Sequence, residues 1–271
     1  MTSSDLDAYC RRIGYDGERA VTLDVLRALH AHHTAAIPFE NLNPLLGRPV
    51  RLDAESLHRK LVREGRGGYC FEQNHLFRDV LTTLGFSVAG LAGRVVWEGR
   101  VQARTHMLLR IDLDGQTYLT DVGFGAQVPT GPLLLEPDVE QSTPHEPYRL
   151  RRDGAEFVSE AKIRGTWRPL YRFDLQDQLP QDYEVGNWYT SCHPDSLFVH
   201  HLMAARAAPG RRYALRNNEL AVHHLNGETE RRTLTRAEDL RETLEADIRI
   251  TLPDGPGVDE LLQRLVDLPH P

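Results

Sequence analysis

The sequence predicts an α+β protein: helices first, a small antiparallel barrel or curled sheet in the middle, and a mixed α/β segment last. Three observations predict it. Apolar residues recur at helical spacing up to about residue 85. From Phe86 onward they fall in short runs separated by Gly, Pro, Asn and Asp, the pattern of strands and turns. The 271 residues are 40% hydrophobic and 26% charged, the composition of an ordinary globular protein with a packed core.

Leu6, Tyr9, Cys10 and Ile13 mark an amphipathic helix that ends near Gly14. Thr22 is an N-cap for the helical run Leu23–His30, and Ile37-Pro38 breaks the helix, because proline disfavours helix at the residue before it. Asp53 caps a short helix through Leu57, Leu61 and Val62. A further helix opens at Cys70, runs through Phe71, Leu76, Phe77, Val80, Leu81 and Leu84, and closes at Gly85. Strands are then expected at 86–91, 93–97, 105–111 and 116–121, with Asp114-Gly115 as a hairpin signal between the last two. Pro129 to Pro147 is proline-rich loop, and further strands are expected at 148–151, 156–163 and 167–173. In the last part we expect a short helix at 183–191 and strands at 197–205, 211–216 and 220–224. Helices complete it at 237–248, capped by Thr235, and at 258–268. The division is 1–85, 86–180 and 181–271.

Several function classes are excluded at this level. A net charge of −7 argues against a general nucleic-acid binder, which needs a basic surface. No apolar run is long enough to cross a bilayer, and Met1–Asp7 has no signal-peptide core. With three cysteines and no C-x-x-C, we expect a cytoplasmic protein with reduced thiols, in which Cys10 and Cys192 pack as small hydrophobes. Metal is not expected: His30, His32 and His33 lie on one helix, the pairs His200-His201 and His223-His224 face opposite ways in strands, and H-E-x-x-H does not occur. Gly123-Phe124-Gly125 lacks the third glycine of a dinucleotide fingerprint, and no G-x-S-x-G serine elbow is present.

The chemistry concentrates at Arg66-Gly67-Gly68-Tyr69-Cys70-Phe71-Glu72-Gln73-Asn74. Two glycines permit a tight approach, and Cys70 falls where a helix begins, among unpaired N–H groups that favour a thiolate. A cysteine nucleophile needs a base, and the base needs a group to hold its tautomer. His106 and Asp121 are the candidates, because a tight turn at Asp114-Gly115 brings their strands together. The bland alternatives stay open on spacing alone: a buried structural thiol, a half-buried strand histidine, and an aspartate that merely forms the turn before Gly123.

The Cys70 run resembles the signature of the arylamine N-acetyltransferases. Thr105-His106-Met107-Leu108 and Thr120-Asp121-Val122-Gly123-Phe124-Gly125 resemble that family's His and Asp segments, in the same order. Tyr9–Gly14 and Ile37–Asn41 resemble its N-terminal motifs. The resemblance implies a helical bundle carrying Cys70, a β-barrel carrying His106 and Asp121, and a C-terminal α/β lid, around a cysteine-protease-like Cys-His-Asp core. It implies a ping-pong reaction with acetyl-CoA as co-substrate: Cys70 takes the acetyl group, coenzyme A leaves, and an arylamine, arylhydroxylamine or hydrazide receives it. Arg12, Glu40 and Arg66 match a buried charged cluster, two arginines forking onto one carboxylate. Phe39 and Phe124 match an apolar acceptor pocket, and Phe198 a lid aromatic. For coenzyme A, the loop Gly125 to Gly131 with Thr130 offers backbone N–H groups to phosphate. Two other functions share the triad: an amide synthase releasing a polyketide chain from a carrier protein, and a cysteine hydrolase.

Overall fold

The computed structural model describes residues 1–96 and 103–268. Its helical part contains α1 (Ser3–Ile13), α2 (Leu23–Ala36), α3 (Leu42–Leu45), α4 (Ala54–Leu57) and α5 (Cys70–Leu84). The expected stops and caps are there for stated reasons. Gly14 ends α1 in the left-handed region at φ 69°, where a side chain would be strained. The Thr22 hydroxyl accepts from Val25 N–H at 3.3 Å, and the Asp53 carboxylate accepts from Ser56 N–H at 2.9 Å. After α4 the chain widens into a π-helical stretch, His58–Arg63, in which Lys60 is buried. α5 is buried nearly all round in its first two turns, from Cys70 to Phe77. A helix so enclosed sits between layers, not on a surface.

The sheet that covers α5 has seven strands: β1 (Ser87–Val95), β2 (His106–Leu113), β3 (Gln116–Thr120), β4 (Leu133–Leu134), β5 (Tyr148–Asp153), β6 (Glu156–Ile163) and β7 (Thr166–Phe173). Their order is β4-β3-β2-β1-β7-β6-β5. Bridges from Pro137 to Leu150 and from Gln141 to Tyr148 carry the chain after β4 across to β5, so the barrel is nearly closed. The break expected after Leu91 does not occur: β1 is one strand, and Gly93 within it packs 3.2 Å (measured to an added Cβ) from the Arg172 carbonyl. Trp97, expected at its end, lies outside the described residues. Asp114 (φ 50°) and Gly115 (φ 75°) form the two-residue turn, which pairs Leu113 with Gln116. Strand β2 is buried on both faces. Leu108 joins Leu119, Leu150 and Tyr171 inside the barrel, while Met107, Leu109 and Ile111 pack in the core that holds α5.

The last part contains α6 (Pro180–Cys192), α7 (Leu197–His200), β8 (Met203–Ala208), β9 (Arg211–Arg216), β10 (Glu219–His224), β11 (Thr229–Thr233), α8 (Ala237–Glu242) and α9 (Val258–Val266). The four strands form a second sheet, ordered β11-β10-β9-β8, which shares an apolar core with α3, α8 and α9. Two expected elements differ, and one strand was not expected. Residues 197–205 are not one strand, because the Ser196 hydroxyl accepts from Phe198 N–H at 3.2 Å and caps a helical turn first. α8 starts after Arg236 with no side-chain cap from Thr235, and a π-helical stretch, Thr243–Asp247, comes directly after it. The exposed edge strand β11, Thr-Glu-Arg-Arg-Thr, carries no apolar residue that periodicity could detect.

Two devices join the parts. Phe39 exchanges backbone hydrogen bonds with Ala205 of β8, at 2.8 and 3.0 Å, while its neighbours Pro38 and Glu40 pair with Gly68. Arg212 of β9, fully buried, donates to both Glu146 oxygens at 2.8 and 3.1 Å and to the Ala126 carbonyl at 3.3 Å. Removing the cation strands a largely buried carboxylate. Arg212→Met should therefore lower the unfolding free energy by about 3 kcal/mol, read from the denaturant midpoint.

Candidate active site

Cys70 opens α5, and the chain reaches it through a constrained loop. A Cβ on Gly67 would lie 2.2 Å from the Pro38 carbonyl oxygen, and one on Gly68 would strike Glu72. Tyr69 N–H donates to the Glu72 carboxylate at 3.2 Å, half of a capping box, and Gln73 donates to the carbonyls of Gly68 (2.8 Å) and Pro38 (3.2 Å). Cys70 is only 5% exposed, and its thiol donates to the Thr105 carbonyl at 3.6 Å.

His106 and Asp121 meet across the β2–β3 hairpin. The register pairs Leu109 with Thr120, which sets His106 and Asp121 diagonally on the barrel-interior face. His106 Nε2 lies 2.7 Å from Asp121 Oδ2, and the Cys70 side chain is near enough to the ring to help raise its pKa. The carboxylate accepts two further bonds on Oδ1, from Gly123 N–H (2.9 Å) and Asn74 Nδ2 (3.1 Å). Burial opposes a charged His106 ring, but the Asp121 charge and hydrogen bond, with Cys70 adding, outweigh it and push its pKa up to about 10. Burial likewise opposes the Asp121 carboxylate, yet the ring and the N–H donors hold its pKa below the ordinary value.

The two segments dock through residues to which the motifs gave no role. Asn74 lies one turn beyond Cys70 on the same helix face. Its amide donates to Met107 O (2.8 Å) and Asp121, and its oxygen accepts from Val122 N–H (3.1 Å), so one side chain ties the cysteine helix to both strands. Gly123 lets the backbones touch: an added Cβ would sit 2.6 Å from the Cys70 Cα. Both lie inside the motifs already singled out, but only contacts reveal their work.

The charged cluster differs from the expected fork. Arg66 donates to Glu40 at 2.9 Å and to Asn43 at 2.8 Å, whereas Arg12 donates to the carbonyls of Leu61 (3.1 Å) and Gly65 (3.2 Å). The second cation near Glu40 is Lys60, 3.5 Å away and 2.6 Å from Glu72. The π-helical stretch supplies it, which helical periodicity could not foresee. Burial raises the Glu72 pKa despite Lys60, while Lys60 and Arg66 overcome burial at Glu40 and lower it.

The aromatic residues form two groups. Phe124 stands edge-on to His106, ring centroids 5.0 Å apart, with Tyr171 4.7 Å from His106 on another side. Phe39, Phe198 and Tyr69 form the second, with centroids 5.5–5.9 Å apart across Phe198. Phe39 also packs 3.6 Å from where a Gly125 Cβ would stand. Of the expected coenzyme loop, Gly125 is half-buried, but Thr130 and Gly131 are buried. The Thr130 hydroxyl already bonds Thr143 and His145, each at 3.2 Å, so its side chain serves the fold. Among the described residues no group of three or more His, Cys, Asp or Glu side chains is arranged to hold a metal ion, and no helix is long and apolar enough to cross a membrane.

Residues 22–256 match a family model described as N-acetyltransferase, which defines the class as an acyltransferase. The chain is 45% identical to the arylamine N-acetyltransferase of Mycolicibacterium smegmatis, over 94% of its own length and 95% of that protein. It is 42% identical to the Escherichia coli K12 arylamine N-acetyltransferase, over 94% and 93%. It superposes on the Mycobacterium tuberculosis arylamine N-acetyltransferase structure with a TM-score of 0.91 at 42% identity, covering 95% of this chain and 99% of that one. It superposes on the Mycobacterium marinum enzyme in complex with CoA with a TM-score of 0.92 at 44% identity, covering 97% and 98%. The chain belongs to the arylamine N-acetyltransferase family.

Asn74→Ala leaves three groups short of a partner, and should cost about 3 kcal/mol in a denaturation titration. Gly123→Ala forces the Asp121 segment away from Cys70. It should reduce turnover at least ~10-fold while circular dichroism stays that of the parent.

Proposed function

We propose that this chain transfers an acetyl group from acetyl-CoA to the nitrogen of an arylamine, arylhydroxylamine or hydrazide, with Cys70, His106 and Asp121 as the catalytic residues. The observation that carries this reading is the 2.7 Å His106–Asp121 contact, with the Cys70 side chain beside the same ring. Family membership supplies the reaction class, and the CoA complex of the M. marinum relative supports the choice of donor.

In the first half-reaction His106 takes the Cys70 proton and the sulfur attacks the thioester carbonyl. A C–S bond to Cys70 forms, the tetrahedral oxyanion collapses, and the bond to coenzyme A breaks, its thiolate receiving the proton from His106. Backbone N–H groups at the head of α5 are the donors for the oxyanion, since the first turn of a helix leaves them free of intrahelical partners. In the second half-reaction an amine nitrogen attacks acetyl-Cys70. The C–N bond forms, His106 accepts the amine proton and returns it to the departing sulfur, and Cys70 is regenerated. Arylamines are neutral near pH 7, so no deprotonation precedes attack. Asp121, accepting from Nε2, leaves Nδ1 to face the thiol and stabilises the charged ring. Phe39, Phe124 and Phe198 supply apolar surface for an aromatic acceptor. The half-buried Gly125 is the part of its loop best placed to meet coenzyme A; Thr130 and Gly131 act from beneath it.

The test is intact mass after incubation with acetyl-CoA alone. One acetyl group on the Cys70 peptide, removed by an added arylamine or hydrazide, is the expected result; an unmodified protein that still acetylates the amine removes the covalent mechanism. Cys70→Ser should lose nearly all transfer and keep its fold. Asp121→Asn should lower turnover by about 10^4-fold, because it favours the wrong histidine tautomer.

The pair also marks stability against pH. His106 has a raised folded pKa, so its contribution is complete below about pH 6.5 and is lost as pH rises toward about 10. Asp121 has a lowered folded pKa, so its contribution is present above the ordinary carboxylate range and fades in acid. Urea midpoints should decline between pH 6.5 and 10, and the decline should be shallower in His106→Asn.

A further inference from the structure

Helix α2 carries two buried histidines that the proposed chemistry does not use. His30 and His33 are one helical turn apart on the same face, and neither is exposed to solvent. His33 Nδ1 meets the Tyr9 hydroxyl at 2.8 Å and its Nε2 meets Gln73 Oε1 at 3.1 Å. The phenol donates to Nδ1, Nε2–H donates to Gln73, and the Gln73 amide donates onward to Gly68 and Pro38. The same helix thus holds the loop that delivers Cys70.

His30 faces the other half of the site. Its Nε2 lies 2.9 Å from the Pro129 carbonyl and 3.2 Å from the Asp121 carbonyl. Two carbonyl oxygens against one nitrogen require that nitrogen to carry the hydrogen, which fixes the tautomer. Burial pushes the ring pKa down to about 4, so it is neutral and Nδ1 keeps a lone pair. Nδ1 is buried without a hydrogen-bond partner, and the ring stands edge-on to Phe77 at 5.8 Å between centroids. A leucine would pack against Phe77 without that unmet acceptor. What the imidazole adds is the shared N–H: Asp121 carries the carboxylate that orients His106, and Pro129 lies within the Gly125–Gly131 loop.

We propose that His30 is a positioning residue for acetyl transfer. It shares its Nε2 proton between the Asp121 and Pro129 carbonyls and so holds the His106-orienting segment and the Gly125–Gly131 loop in register with Cys70. This rests on the function proposed above, and it adds that α2 is the common frame for both halves of the site. His30 touches no reacting atom, and its effect is on where Asp121 and the loop stand.

The experiment compares His30→Gln, whose amide nitrogen reaches about as far as Nε2, with His30→Asn, which is polar but too short, and His30→Phe, which fills the space without donating. Two readouts are used on protein whose circular dichroism and melting match the parent. One is the single-turnover rate and KM for acetylation by acetyl-CoA. The other is the pH profile of Cys70 alkylation by iodoacetamide, which needs no coenzyme. The expected result is at least ~10-fold slower acetylation with a raised KM in the Asn and Phe variants, a displaced alkylation profile, and recovery to within a few-fold of the parent in the Gln variant. Parent-like rates and profile in a folded Asn or Phe variant overturn the proposal. So does a Gln variant as impaired as the Asn variant, which would leave His30 a packing role alone. Should the Phe variant fail to fold, the Gln–Asn pair decides by itself. If the parent takes no acetyl group at all, the proposed function fails, while the alkylation profiles still report on His30.

Discussion

The structure depends on one docking contact, where the end of the β2–β3 hairpin is pressed onto the head of α5. It needs a residue with no side chain and a residue with a bifunctional one. Gly123 allows backbone to reach backbone at Cys70, and Asn74 fills the neighbouring space with three hydrogen bonds. A buried amide so satisfied is rigid, because each lost bond would leave a polar group without water. The 2.7 Å contact between His106 and Asp121 inherits that rigidity. In the proposed mechanism this holds imidazole and thiol in place before any substrate arrives, which is what preorganisation requires.

Around this contact the remaining elements act as braces. The Pro38–Glu40 segment lies between the Gly68 loop and β8, so the cysteine loop and the second sheet share one short strap. Below it sit Glu40, Glu72, Lys60 and Arg66, two carboxylates and two cations buried together. Such a cluster adds little net stability, because desolvation offsets attraction. What it contributes is geometry, since Glu72 also caps the Tyr69 N–H and Glu40 also accepts from Leu42 N–H. Arg212 braces the opposite side, joining β9 to Glu146 and to the Gly125–Gln127 turn.

Much of this was legible in the residues. The caps at Thr22 and Asp53, the stop at Gly14 and the turn at Asp114-Gly115 are local, and local chemistry announced them. The strands 156–163 and 211–216 were placed to the residue because apolar alternation was bounded by turn formers. Legibility failed where the deciding partner was distant or the period irregular. The π-helical stretches break the spacing rule, and with it went Lys60 and the true partners of Arg12. Strand β11 has no apolar face, and the 197–205 run carried a cap at Ser196 that its hydrophobicity concealed.

The sequence by itself determined the α+β class, with helices first and strands after, and it marked Cys70, His106 and Asp121 as candidates. The class rests on short-range chemistry, such as helical spacing and a two-residue turn that sets strand register, whereas the candidates were singled out from their bland alternatives by the likeness of their motifs to a family. Tertiary structure alone decided which imidazole nitrogen faces the carboxylate, which cations meet Glu40, and that Asn74, Gly123 and His30 join the two halves. Those outcomes depend on contacts between residues 15 to 99 apart in the chain, and no local pattern encodes a partner that only packing brings near.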